Sequence, residues 1–117
     1  MTENKGSATK YDQGKLRYDL IPIYPLKILA EVYTMGCLKY DDDNWRKGFG
    51  WRRLSGAFLR HFFAWLMGED YNVEKFVGKD GKEYIFRIHH LGHCMWYLFT
   101  WLEFTIIHPE LDDRIKY

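Results

Sequence analysis

His61, Glu69, Asp70, His90 and His93 are the residues whose types and spacing can do chemistry. His90 and His93 are three apart, which on a helix places both rings on one face about a turn apart. Two imidazoles at that spacing can share one divalent metal ion through their nitrogens. His61 sits among Phe58, Phe62, Trp65 and Leu66, where a polar ring without a partner is costly. Glu69 follows eight residues later, within roughly a quadrant of His61 on a continuing helix, and Asp70 comes next. Mixed nitrogen and oxygen donors of this kind suit Mn, Fe, Zn or Mg rather than a thiolate-type site. The bland alternative makes His89 and His90 a polar helix start and His93 a satisfied core residue. Glu69 and Asp70 would then be a solvated helix end, although acids there oppose the helix dipole.

A second set is cationic and aromatic. Lys15 and Arg17 flank a glycine-containing segment, and Lys39, Arg46, Arg52, Arg53 and Arg60 lie farther on. Such side chains can hold a triphosphate while Tyr40, Trp45 or Trp51 stacks on a base. Charge near glycine is usually just a solvated turn. No Walker loop, dinucleotide fingerprint, nucleophile elbow or zinc-finger spacing is present.

The elements that must position these residues are legible from periodicity. Residues 10–22 alternate charge with aromatics around Gly14 and read as an extended or turning segment. Pro25 suits a first helical turn, and Leu26 to Lys39 follows helical spacing loosely. Tyr40 to Trp51, with Asp41-Asp-Asp-Asn-Trp45 and the glycines Gly48 and Gly50, is a loop. Arg53 to Met67 carries Leu54, Ala57, Phe58, Phe62, Trp65 and Leu66 on one stripe, stopped by Gly68. Phe76 to Phe86 has β-favouring ends around Asp80-Gly81, a hairpin signal. A last helix from about Ile88 to Ile107 ends at His108-Pro109, and the polar tail from Glu110 is expected to pack weakly. The expected fold is mainly α: one domain over residues 1–117, three main helices packed as a small bundle, a β-hairpin at 74–87, and flexible residues 1–10.

Nearly half of the 117 residues are apolar and 19% are aromatic, enough for a core. The net charge of +1 does not provide the basic field of a general nucleic-acid binder. Cys37 and Cys94 are too few and too far apart for a metal knuckle or a disulfide framework, and read as buried thiols. The longest apolar-rich run, Cys94 to Ile107, is shorter than a membrane span and is interrupted by Glu103. No signal peptide is evident. A soluble, cytoplasmic protein without a membrane partner is expected. Three aromatic helices in so short a chain leave apolar surface that a lone domain struggles to bury, so a homo-oligomer is expected.

Several motifs occur together in order: Lys10-Tyr-Asp-x-Gly-Lys-x-Arg-Tyr-Asp-Leu-Ile-Pro22, Gly36-x-x-Lys-Tyr-x-x-x-Asn-Trp45, Arg60-His61, Gly68-Glu-Asp70 and His90-Leu-x-His93. Jointly they resemble the phage dATP/dGTP diphosphohydrolases, the MazZ-like group, from Lys10 to about Glu103. The resemblance implies an all-α, MazG-like fold that cleaves a purine deoxynucleoside triphosphate to monophosphate and pyrophosphate with a divalent metal ion (Mg, Mn, Co or Zn). On that reading His61, Glu69, Asp70, His90 and His93 hold the metal, and Asp70 or Glu69 serves the attacking water. Lys15, Arg17, Lys39 and Arg60 bind phosphates, while Tyr40, Asn44 and Trp45 contact base or sugar. The chain departs from MazG-like enzymes at His89-His-Leu-Gly-His93, where those carry paired carboxylates, at Tyr97, where relatives carry Asn, and in the hairpin, which is longer than their loop. A protein that uses the same pocket to sequester a nucleotide without turnover, and a purely structural helical module, remain the other readings.

Overall fold

The computed structural model describes residues 6–116 and contains three helices and one antiparallel hairpin: α1 (Ile23–Lys39), α2 (Trp51–Leu66), β1 (Tyr71–Val77), β2 (Glu83–His89) and α3 (His90–Ile107). Single 3-10 turns occupy Tyr18–Leu20, Asn44–Lys47 and Pro109–Leu111. The mainly α reading with a small hairpin holds. The expectation of flexibility over residues 1–10 falls partly outside the described residues.

Helix α1 starts at Ile23, three residues before the expected Leu26, because Pro25 lies inside its first turn. There the missing N–H would have had no helical partner, and the ring presets φ. Helix α2 ends where Gly68 takes φ +99°, a left-handed conformation that turns the chain directly into β1. The hairpin spans residues 71–89, wider than the expected 74–87, with Tyr71 paired to His89 and Val77 to Glu83. Its exposure alternates strictly along β1, so Asn72, Glu74 and Phe76 share the inner face while Tyr71, Val73, Lys75 and Val77 face out. That is the period-2 signature of a half-covered strand. Strand β2 runs straight into α3, so the helix begins at His90 rather than Ile88. His89 caps it, with Nδ1 accepting from the Leu91 N–H at 3.0 Å.

Helix α3 is the organising element, since both α1 and α2 pack against it. Val32 and Met35 of α1 meet Ile88, flanked by Ile28, Phe76, Phe86 and Trp96. Tyr33 and Thr100 join α1 to α3 by a hydroxyl–hydroxyl hydrogen bond of 2.6 Å. Gly92 permits the close approach of these elements, because a Cβ there would lie 2.4 Å from Ile28 Cγ2 and 3.2 Å from Ile88 Cγ2. Gly92→Ala is therefore expected to destabilise by about 1–3 kcal/mol through overpacking, despite alanine's better helix propensity. Urea unfolding checks it, and an unchanged or raised midpoint contradicts it.

The tail is not the weakly packed segment anticipated. Asp113 accepts the Arg52 N–H at 2.8 Å, capping an α2 start whose own N-cap, Gly50, supplies no side chain. Arg114 stacks over the Trp51 ring at 5.1 Å. His108 bonds both the Arg46 carbonyl oxygen and Glu110. A polar sequence disguised these contacts because they are made by capping and charge, which leave no apolar periodicity.

The radius of gyration is 18.3 Å, against about 13 Å for a compact domain of this length. Much apolar surface is accordingly uncovered, including Phe63, Leu66 and Met67 at the end of α2 and Leu98, Phe99, Leu102 and Ile106 along α3. Among the described residues no helix is long and apolar enough to cross a membrane.

Candidate functional site

A cavity of about 300 Å³ opens between α1, the 40–49 loop, the inner face of the hairpin and one face of α3. Lys39, Tyr40, Asn44 and Trp45 line it together with His61 and His93. The far wall is aromatic, formed by Tyr33, Phe49, Trp96 and Tyr97, and Tyr33 meets Trp45 edge-on at 5.4 Å. The Arg46 guanidinium covers the other part of the Trp45 environment at 4.5 Å. This mixture of aromatic faces with a few polar groups is the usual constitution of a small-molecule site.

The histidines form one connected group. His61 Nδ1 lies 2.9 Å from His90 Nδ1, and His90 Nε2 lies 2.8 Å from Glu69 Oε1. His93 stacks on His61 with ring centroids 4.3 Å apart and planes within 13°. Residues 61, 90 and 93 are brought together because α2 and α3 pack side by side, and because the abrupt β2-to-α3 junction places His90 opposite the end of α2. The main-chain N–H of His90 is held by the Asp70 carbonyl oxygen at 2.8 Å.

Electrostatics keep two of these rings neutral. Burial, followed by the neighbouring His61 and His90 rings, holds the His93 imidazole down at about 4 against its ordinary 6.5. Burial and then His90 lower His61 as well. Unfolded imidazoles protonate near 6.5 while the folded ones resist, so the unfolded state binds more protons between about 6.5 and about 4. Stability from this group is therefore complete above 6.5 and lost as pH falls toward 4. His108, raised by its bonds to the Arg46 carbonyl and Glu110, works in the opposite direction. The expected result is that acidification from pH 7.5 to 5 lowers the urea midpoint more in wild type than in His93→Leu, which retains His108. An equal or smaller drop in wild type contradicts it.

The sequence-derived residues divide into three groups. His61, His90, His93 and Glu69 are brought together, and Lys39, Tyr40, Asn44 and Trp45 share the cavity with two of them. Asp70 contributes its main-chain oxygen to His90, and the residue itself is exposed. Arg60 lines an adjacent hollow of about 260 Å³ with Trp96 and Tyr97. Lys15 and Arg17, expected among the phosphate binders, line neither cavity. Both are exposed, and Arg17 pairs with Asp19 at 2.8 Å. Their segment precedes α1.

Glu74 was missed. It projects from the inner face of β1 into the cavity, where it pairs with Lys39, and Lys39 also sits 4.9 Å from the Phe76 ring centre. The signal was available in the alternation Asn72-x-Glu74-x-Phe76, which marks one face of a strand.

As they stand, the five residues do not form a closed coordination shell. Both nitrogens of His90 are taken up by protein partners, and Glu69 is held by His90. Among the described residues no group of three or more His, Cys, Asp or Glu is arranged to hold a metal ion by itself. One atom stands out: His93 Nε2 is buried without any hydrogen-bond partner. Such an orphaned polar atom is costly unless a ligand satisfies it. His61 lines the same cavity, so these two imidazoles are the nitrogen donors available to a divalent ion that would take its remaining ligands from phosphate and water.

The sequence matches the family described as dATP/dGTP diphosphohydrolase, N-terminal, over residues 5–114. No curated protein and no solved structure matches the chain.

Proposed function

The chain belongs to the dATP/dGTP diphosphohydrolase N-terminal family, and from that premise we propose that it hydrolyses purine deoxynucleoside triphosphates to monophosphate and pyrophosphate in the cavity beside His61 and His93. The observation that carries the reading is the placement of an unsatisfied imidazole, His93, in a cavity that also holds a cation, Lys39, and an aromatic wall around Asn44 and Trp45. That combination matches the three parts of a nucleotide: phosphates, their metal and a flat base.

In this reading the fold is a MazG-like arrangement. Lys39 exchanges its partner Glu74 for a phosphate oxygen, and Glu74 is thereby released to face a cation. Asn44 offers an amide donor and acceptor to the base or sugar, and Trp45 a stacking face. Arg60, one hollow away, adds positive charge near the phosphates. His61 Nε2 and His93 Nε2, with Glu74, are the groups that would hold the divalent ion (Mg, Mn, Co or Zn). Bound there, the ion would neutralise phosphate charge and acidify the attacking water. Glu69 and Asp70, the catalytic acids expected from the sequence, stand behind His90 rather than in the cavity, Glu69 through its carboxylate and Asp70 through its backbone.

The exposed apolar faces of α2 and α3 support a homo-oligomer, and light scattering of the purified protein should give a multiple of the single-chain mass. Purified protein incubated with each of the four deoxynucleoside triphosphates and each metal should release pyrophosphate from dATP and dGTP. Retention of nucleotide without product would favour the sequestering alternative, and no release with any metal would remove the hydrolase reading.

A further inference from the structure

We propose that Glu69 and His90 are positioning residues that lock His61 in one tautomer, with its proton on Nδ1 and an electron pair on Nε2 available to a divalent cation in the cavity. The role of that electron pair rests on the metal-dependent reading above. The tautomer itself follows from the hydrogen-bond chain alone.

Glu69 is the anionic end of the chain. Its side chain is 64% exposed, and an ionised carboxylate only accepts hydrogen bonds. The proton between Glu69 Oε1 and His90 Nε2, 2.8 Å apart, therefore belongs to the imidazole. A neutral imidazole carries a single N–H. With that proton on Nε2, His90 Nδ1 is an acceptor. His61 Nδ1 lies 2.9 Å from it, a distance at which two facing electron pairs would repel, so His61 must donate. Its one proton is then on Nδ1, and Nε2 is unprotonated.

The direction is imposed because only one end of the chain is charged. The ring at the centre has little freedom to depart from it: His90 is 3% exposed, and its main-chain N–H is tied to Asp70. His93, stacked parallel on His61, restrains the other ring. In water a free imidazole places its proton mainly on Nε2, so without this chain the cavity would meet an N–H, which cannot ligate a cation. Metal-binding histidines are commonly oriented by a carboxylate or carbonyl on their second nitrogen. Here a second imidazole is interposed between ligand and carboxylate.

Nitrogen–proton correlation spectra of the metal-free protein at about pH 8 test this directly. Wild type is expected to show His61 protonated on Nδ1. Glu69→Gln, whose amide can donate as well as accept, allows the chain to run in either direction, and His61 should become a mixture. His90→Asn retains an oxygen acceptor near the Nδ1 position and should preserve the tautomer, whereas His90→Leu should return the proton to Nε2. Calorimetric titration with Mn²⁺ should show affinity roughly 10–100-fold weaker in Glu69→Gln. A wild-type His61 protonated on Nε2, or a tautomer unchanged in Glu69→Gln, overturns the proposal. Should His90→Leu fail to fold, the wild-type and Glu69→Gln spectra still decide. Because the spectra use neither metal nor nucleotide, their outcome is separate from failure of the hydrolase reading, which pyrophosphate release reports.

Discussion

His61→Ala is expected to lower pyrophosphate release from dATP by roughly 10²-fold or more, with little loss of folded protein. Residues that only orient a metal ligand typically contribute 10–100-fold, so loss of the ligand itself should exceed that range. The substitution also ends the His90 chain at an unfilled position and removes the ring on which His93 stacks at 4.3 Å. Stability should fall by about 1–3 kcal/mol, because the buried His90 Nδ1 is left without its partner. The informative control is Arg60→Gln. Arg60 lies in the neighbouring hollow, so its loss should raise KM for nucleotide more than it lowers kcat. Steady-state kinetics beside circular dichroism separates the two. An active His61→Ala with unchanged kcat removes His61 from the reaction.

Phe104→Ala is expected to destabilise the protein by about 3–5 kcal/mol, the range for truncating a buried aromatic. Phe104 is 0% exposed and touches two rings of the 40–49 loop, Trp45 at 6.2 Å and Phe49 at 6.4 Å, and His108 just past the end of its own helix at 5.4 Å between ring centres. It thus pins the 40–49 loop and the start of the tail to α3. Since a domain of this size has only about 5–15 kcal/mol of stability in total, the loss is a large share. Trp45 belongs to the cavity, so Phe104→Leu, which keeps most of the volume, should retain folding while weakening nucleotide binding. Chemical denaturation and nucleotide titration measure both effects. A Phe104→Ala midpoint equal to wild type would contradict the packing described.

These expectations show which parts of the molecule local sequence encodes. The stripe from Leu54 to Trp65 and the stop at Gly68 mark α2 because a helix face turned toward its neighbours needs regular apolar spacing. Asp80-Gly81 marks the hairpin turn because φ at Gly81 is +81°, which glycine takes without strain. The juxtaposition of His61, His90 and His93 was legible as types and helical faces. Its internal wiring was not, because whether an imidazole faces the cavity or another ring depends on how two helices pack.

Three features lay beyond local pattern. The polar residues Asn72 and Glu74 extend β1 inward because a cavity, not a core, lies beneath them, so a reading by hydrophobicity shortened the strand. Asp113 and Arg114 attach the tail through a distant helix N-terminus and a tryptophan face. Lys15 and Arg17 have the right chemistry for phosphate, yet both are exposed and neither lines a cavity. Charge identity is local, whereas its delivery to a site is a property of the whole fold.

The most direct test of the central claim is product analysis of dATP hydrolysis by the purified protein, by phosphorus NMR with Mn²⁺ and with excess chelator. The expected products are dAMP and pyrophosphate in equal amounts, formed with the metal and absent with chelator, and strongly reduced in His61→Ala. Orthophosphate with dADP, or no product under any metal while nucleotide remains bound, would contradict it.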